Sequence, residues 1–220
     1  MISGMVLEQH SMEIVLSRYK NNMDWISEFK TSKLFIYDKS GESNKYFQLP
    51  NIGRESHTYL FHIINNYNNL SDYVCFLQAY PFDHTLYRNG NQLANFIESF
   101  NKSIDYFPLG SNYKCDFSGR PHHIGLNIKE LIFDNYFLSC PNEIFFTPGG
   151  CMIVSKSAIL CRKKEFYEKM IREFDRNDEK ILFTEGEEKW RGLNQMPWIL
   201  ERVWGYIFNK DFKTNYDTNS

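Results

Sequence analysis

The sequence predicts an α/β fold in one domain, a mostly parallel sheet with helices on both faces. Three observations carry this. Strand-like and helix-like segments alternate as β-α-β-α-β over residues 13–78, a pattern that favours parallel pairing through crossover helices. Tyr73 to Leu77 is a short apolar run of the kind buried on both faces of a sheet. At 220 residues the chain suits a single domain that buries roughly 70% of its unfolded surface.

Taken in order, residues 1–11 read as a loosely held leader. Glu13 to Arg18 is a strand that ends in the polar group Arg18-Tyr19-Lys20-Asn21-Asn22. Met23 to Phe29 is a short helix with Trp25, Ile26 and Phe29 on one face, and Lys33 to Asp38 is a second strand. Lys39 to Pro50 is a loop. After Gly53 the apolar residues Tyr59, Leu60, Ile63, Ile64 and Tyr67 recur at helical spacing, and Asn-rich 65–69 ends that helix. The strand 73–78 follows. Gln92 to Phe100 is a helix, Phe107 to Gly125 one long loop, and Ile128 to Phe137 a further helix. Glu143 to Phe146 leads into a Pro-Gly-Gly turn, then a strand at Cys151 to Ser155. Lys164 to Phe174 is amphipathic, residues 175–192 are charged and expected to be exposed, and Pro197 opens a last helix through Phe208. Residues 212–220 read as loosely held.

A formal net charge of −2 gives no electrostatic footprint for nucleic acid. No apolar run is long enough to span a membrane, and the N-terminus lacks the layout of a signal peptide. The cysteine count is odd, with five residues and no C-x-x-C pair, which suits free thiols in a reducing, cytoplasmic setting. Aromatic residues make up a high 17% of the chain, which reads as an aromatic-rich core or, alternatively, as stacking surfaces for a base or sugar. G-x-S-x-G, H-E-x-x-H and G-x-x-x-x-G-K-[ST] are absent, and no G-x-G-x-x-G follows the first strand.

In an open α/β sheet, ligands bind outside the carboxyl ends of the strands, where Gln78, Asp83 and His84 fall. Asp83 and His84 offer a carboxylate beside an imidazole, suited to Mn²⁺ or Mg²⁺, or else to capping a turn and packing locally. Arg54, Glu55 and His57 fall at a helix N-terminus, where an anion is favoured. The alternative there is ordinary capping by Asn51, with Glu55 complementing the dipole. His122 and His123 either complete a metal site or form a surface pair.

Four blocks, Ile14 to Trp25, Asn51 to His84, Phe146 to Ser155 and Pro197 to Phe208, resemble a bacterial and fungal family catalogued as a domain of unknown function. Its blocks read N-x-G-R-E-S-H-T-Y-L, F-L-Q followed by P-F-D-H, a P-G segment and P-W-I-L-E-R-x-W-G-Y. The block order is also similar to the GT-A (Rossmann-like) glycosyltransferase fold. There the first strand ends in an R-Y-N loop, a later strand ends in the metal motif D-x-D, a G-G segment lines the acceptor side, and a late helix carries E-R. No D-x-D occurs in this chain, and its place reads Leu77 to His84.

The resemblance implies transfer of a sugar from a nucleotide-sugar donor to a glycan or lipid-linked acceptor in surface polysaccharide synthesis. It assigns the donor to Arg18, Tyr19, Asn51, Arg54, Glu55, Gln78, Gly149 and Gly150, and catalysis to Glu201 and Arg202. Mn²⁺ or Mg²⁺ would lie at Asp83 and His84. A metal-dependent hydrolase or phosphotransferase, and a non-catalytic carbohydrate-binding protein, are the alternatives.

Overall fold

The computed structural model describes residues 11–30, 32–100, 103–175 and 195–218. At its centre is β1 (Met12–Arg18), with β2 (Lys33–Asp38) on one side and β4 (Tyr73–Gln78) on the other, both parallel to it. The chain passes from β1 out to β2, then through α1 (Arg54–Asn66) across β1 to β4. The direction of winding therefore reverses between β1 and β4.

A two-residue strand inside the expected 39–50 loop, β3 (Phe47–Gln48), extends the parallel half beyond β2. On the far side β8 (Met152–Ser155) runs antiparallel to β4, and β5 (Tyr106–Pro108) antiparallel to β8. The six-stranded order is β3-β2-β1-β4-β8-β5. The sheet is mixed α/β and mostly parallel, as the alternation of elements predicts.

Period-2 alternation sorts the core into two layers. Val15, Val74, Phe76, Met152 and Val154 face α1, α5 (Lys164–Arg172) and α6 (Met196–Ile207). Ile14, Leu16, Cys75, Leu77 and Ile153 face α2 (Gly90–Glu98) and the segment Trp25 to Phe29. A buried network ties the first layer to the sheet. His62 on α1 is hydrogen-bonded to Glu13 at 2.9 Å and to the Tyr37 hydroxyl at 2.9 Å.

Several elements depart from expectation. Residues 107–125 are not one long loop. Their start belongs to β5, and β6 (Tyr113–Cys115) pairs with β7 (Ile144–Phe146) in a separate two-stranded sheet. Both strands depend on partners about 30 to 50 residues away, which local periodicity does not register. The helix expected at 23–29 is a 3₁₀ segment, Asp24–Glu28. The one expected at 128–137 is a π-helical turn, Lys129–Phe133, followed by the short α3 (Asp134–Tyr136). After β8 a further short helix, α4 (Lys156–Leu160), is capped by the Ser155 hydroxyl.

The end of the chain is held more firmly than its composition suggests. Residues 213–217 are tied down by the Leu138 N–H bond to the Lys213 carbonyl at 2.8 Å and the Arg162–Asp217 pair at 2.5 Å. The fully buried Arg162 also donates to the carbonyls of Ile207, Asn209 and Phe212. The leader 1–10 and most of the charged stretch expected at 175–192 lie outside the described residues. No helix among the described residues is long and apolar enough to cross a membrane.

Candidate functional site

A cavity of about 450 Å³ opens at the carboxyl ends of β1 and β4 and at the start of α1. This is the switch point of the sheet, where such sheets bind ligands. Arg18, Tyr19, Asn51, Arg54, Glu55 and Gln78, named from the sequence, all line it. Lys39 and Tyr80 line it as well and were missed. A larger open groove of about 710 Å³ adjoins it across Arg18 and Asn21. That groove has fewer convergent charges and meets the carboxyl strand ends only at Arg18, so its size does not make it the better site.

Each charged wall residue is positioned by its element. Arg18 ends β1 and donates at 2.6 Å to Asp38, a fully buried carboxylate also held by the Ser40 hydroxyl. Lys39 follows β2, and its backbone N–H bonds the Arg18 carbonyl at 2.9 Å. The residue is 5% exposed, and its ammonium donates to the carbonyls of Ile52, at 2.5 Å, and of Arg54. Burial pulls the Lys39 pKa down to about 8, against the opposing charge of Glu55.

Gly53 and Arg54 enter α1 with φ of 62° and 48°. The left-handed region suits Gly53 and is unusual for Arg54. Gly53, not Asn51, occupies the N-cap position of the helix. The Arg54 guanidinium lies over the Trp198 ring at 5.6 Å. Glu55 is 8% exposed, and burial raises its pKa, while the Arg54 charge opposes the rise and Glu201 adds to it. Tyr19 and Tyr80 stand 50% and 49% exposed at the rim, flat faces outside the aromatic core.

The remaining named residues gather past β4, beyond the 3₁₀ turn Pro81–Asp83. Asp83 and His84 line a second, smaller cavity of about 130 Å³ with Thr85, Ser111, Tyr113 and Pro148. Gly149 closes against it, since a Cβ there would lie 2.6 Å from the His84 Cβ. The Gly149 N–H donates to the Glu201 carboxylate at 2.8 Å. Glu201 lines neither cavity, but it lies within electrostatic reach of Glu55 in the first and bonds Gly149, which packs on His84 of the second.

Gly150, with φ of 58°, packs instead toward Trp204 and Tyr59. Arg202 is 1% exposed and faces the core. It donates to the Trp198 carbonyl and to His123 Nδ1, and its guanidinium covers the Phe146 ring at 4.6 Å. His123 must be neutral to accept that bond, and burial and the Arg202 charge bring its pKa down to about 4. His122 packs edge-on against Tyr113 and Phe146.

No three His, Cys, Asp or Glu side chains among the described residues form a group able to hold a metal. Among the described residues Asp83 and His84 have no third protein ligand beside them, so a Mn²⁺ or Mg²⁺ held there would need water and phosphate to complete its shell.

Residues 14–105 match the model of a protein family of unknown function, DUF3431. The matched stretch holds the first two of the four sequence blocks, the parallel half of the sheet and the first cavity. The Pro-Gly-Gly turn and α6 lie beyond it. No curated protein and no solved structure matches the chain.

Proposed function

We propose that the protein is a GT-A-like glycosyltransferase that moves a sugar from a nucleotide-sugar donor to a hydroxyl of a glycan or lipid-linked acceptor. The observation that carries the reading is the cavity at the β1/β4 switch point, with Arg18, Lys39 and Arg54 in its lining. Its volume of about 450 Å³ falls within the range of small-ligand sites. Cations there suit a diphosphate, because charge-assisted hydrogen bonds are the strongest available to a leaving phosphate. Tyr19 and Tyr80 offer stacking faces for a base, a contact worth about 1–3 kcal/mol.

In an inverting transfer the acceptor O–H gives its proton to a carboxylate, and its oxygen forms the new bond to the anomeric carbon. The bond from that carbon to the diphosphate oxygen breaks, and the diphosphate leaves with the electron pair. Lys39, Arg18 and Arg54 would stabilise the charge it gains. Glu201, fixed by the Gly149 N–H and by Arg202 at 3.3 Å, is the carboxylate placed to take the proton. Arg202 holds Glu201 and His123 in place and stays in the core.

The test is a thermal-shift screen of nucleoside diphosphates and their sugar conjugates, with and without Mn²⁺. Stabilisation by one nucleotide family is the expected result. Stabilisation by metal alone would favour hydrolysis, and no response to any nucleotide would remove the transferase reading.

A further inference from the structure

The cavity beyond the Pro81–Asp83 turn has its own chemistry. β4 and the residues after it run from one cavity to the other, with Gln78, Ala79 and Tyr80 in the first and Asp83, His84 and Thr85 in the second. The second cavity presents a carboxylate, an imidazole and the hydroxyls of Thr85, Ser111 and Tyr113. Among the described residues no hydrogen bond engages the side chains of Asp83, His84, Ser111 or Tyr113. These groups are exposed and line one small depression, where a ligand would replace water as their hydrogen-bond partner.

The walls are shaped by two glycines. A Cβ on Gly110 would fall 2.1 Å from the His84 carbonyl oxygen, and one on Gly149 would fall 2.6 Å from the His84 Cβ. Only bare backbone can approach His84 this closely from both sides. Backbone bonds lock the approach, since the Leu86 N–H donates to the Leu109 carbonyl at 3.0 Å and the Leu109 N–H to the Cys151 carbonyl at 2.9 Å. The Tyr113 ring is held by His122 and Phe146. The backbone around His84 is fixed, and the exposed side chains of Asp83, His84, Ser111 and Tyr113 line an open surface depression built on it.

Size and charge select the ligand class. About 130 Å³ equals roughly four water volumes, too small for a nucleotide and enough for one edge of a sugar ring. The Asp83 carboxylate repels a phosphate. Among the described residues a divalent cation finds no third side-chain ligand here. A row of ring hydroxyls satisfies every group, because carboxylates accept O–H bonds and imidazole and hydroxyls both donate and accept.

We infer that Asp83, His84, Ser111 and Tyr113 form a binding site for adjacent hydroxyls of one pyranose ring, the terminal sugar of the acceptor. The acceptor is then a glycan, recognised through its last residue, rather than a lipid recognised by its chain. This assignment as acceptor rests on the transferase reading. Glu201, bonded to Gly149 at the edge of this site, would face the hydroxyl that reacts.

Saturation-transfer NMR on the full chain, with a panel of methyl pyranosides at millimolar concentration, tests the inference. At least one glycoside should bind saturably. Asp83→Asn and Ser111→Ala should each weaken it, Asp83→Asn by about tenfold for the loss of a charged hydrogen-bond partner. Nucleotide affinity measured on the same samples should not change. Absence of saturable binding by every glycoside, or binding unaffected by both substitutions, overturns the site. So does Mn²⁺ binding by the wild type, read by electron paramagnetic resonance, that Asp83→Asn abolishes. Glycoside binding in a protein that binds no nucleotide would keep this site and remove the transferase reading, so the two fail separately.

Discussion

Burial brings the Lys39 ammonium to about 8, inside the range of ordinary assays. An anion bound beside it is favoured by the charged form. Nucleotide affinity should hold below pH 8 and weaken as pH rises through it, and Lys39→Met should lower affinity at pH 7 and flatten that profile. Calorimetric titration at pH 7 and pH 9 measures both effects. Glu201→Gln keeps the shape and removes the charge, so it should lower kcat by about 10²–10⁴ while nucleotide affinity stays near wild type. A normal kcat in that variant rules out the base role. Lys39 was legible in principle, because it directly follows a strand just as Tyr19 does. It was passed over because a lysine opening a polar loop resembles a solvated one, and only the carbonyls of Ile52 and Arg54 show that it is buried.

At the scale of elements, two histidines are held neutral by packing. Burial lowers His57 to about 4, and burial with the Arg202 charge does the same for His123. The unfolded chain takes up these protons below about 6.5, whereas the folded protein resists until about 4. Stability is therefore complete above about 6.5 and falls through that window, for His57 by on the order of 1 kcal/mol per pH unit. The pair between His62 and Glu13, whose pKa its hydrogen bonds bring down, adds to the loss at the acid end. Melting temperature against pH should fall from pH 7 to pH 4, and His57→Gln should make that fall shallower. The Pro-Gly-Gly turn offers a second check. Gly149 has φ of 79° and touches His84, so Gly149→Ala should lower the melting temperature by several degrees and abolish glycoside binding.

Across the whole molecule, legibility follows the parallel half of the sheet. Residues 13–78 alternate strongly and locally, so β1, β2, α1 and β4 follow from periodicity, and the strand-end rule then finds the first cavity. The second half depends on pairings distant in sequence. β5 and β6 are three residues each and owe their existence to β8 and β7, so 107–125 reads as a loop although it supplies Ser111 and Tyr113. Arg202 illustrates the other limit. On a helix beside Glu201 it resembles a site residue, but only the packed positions of His123 and Phe146 reveal that its guanidinium is buried. Polar type and strand position locate a site from sequence, while the burial of each polar group is a property of the assembled layers.

The most direct measurement is a crystal structure of the chain grown with the nucleoside diphosphate that raises its melting temperature most. The account predicts density in the cavity at the ends of β1 and β4, with phosphate oxygens at hydrogen-bond distance from the Lys39 ammonium or the Arg54 guanidinium and the base against Tyr19 or Tyr80. Density confined to the open groove beside Tyr46, or to the small cavity at His84, would contradict it.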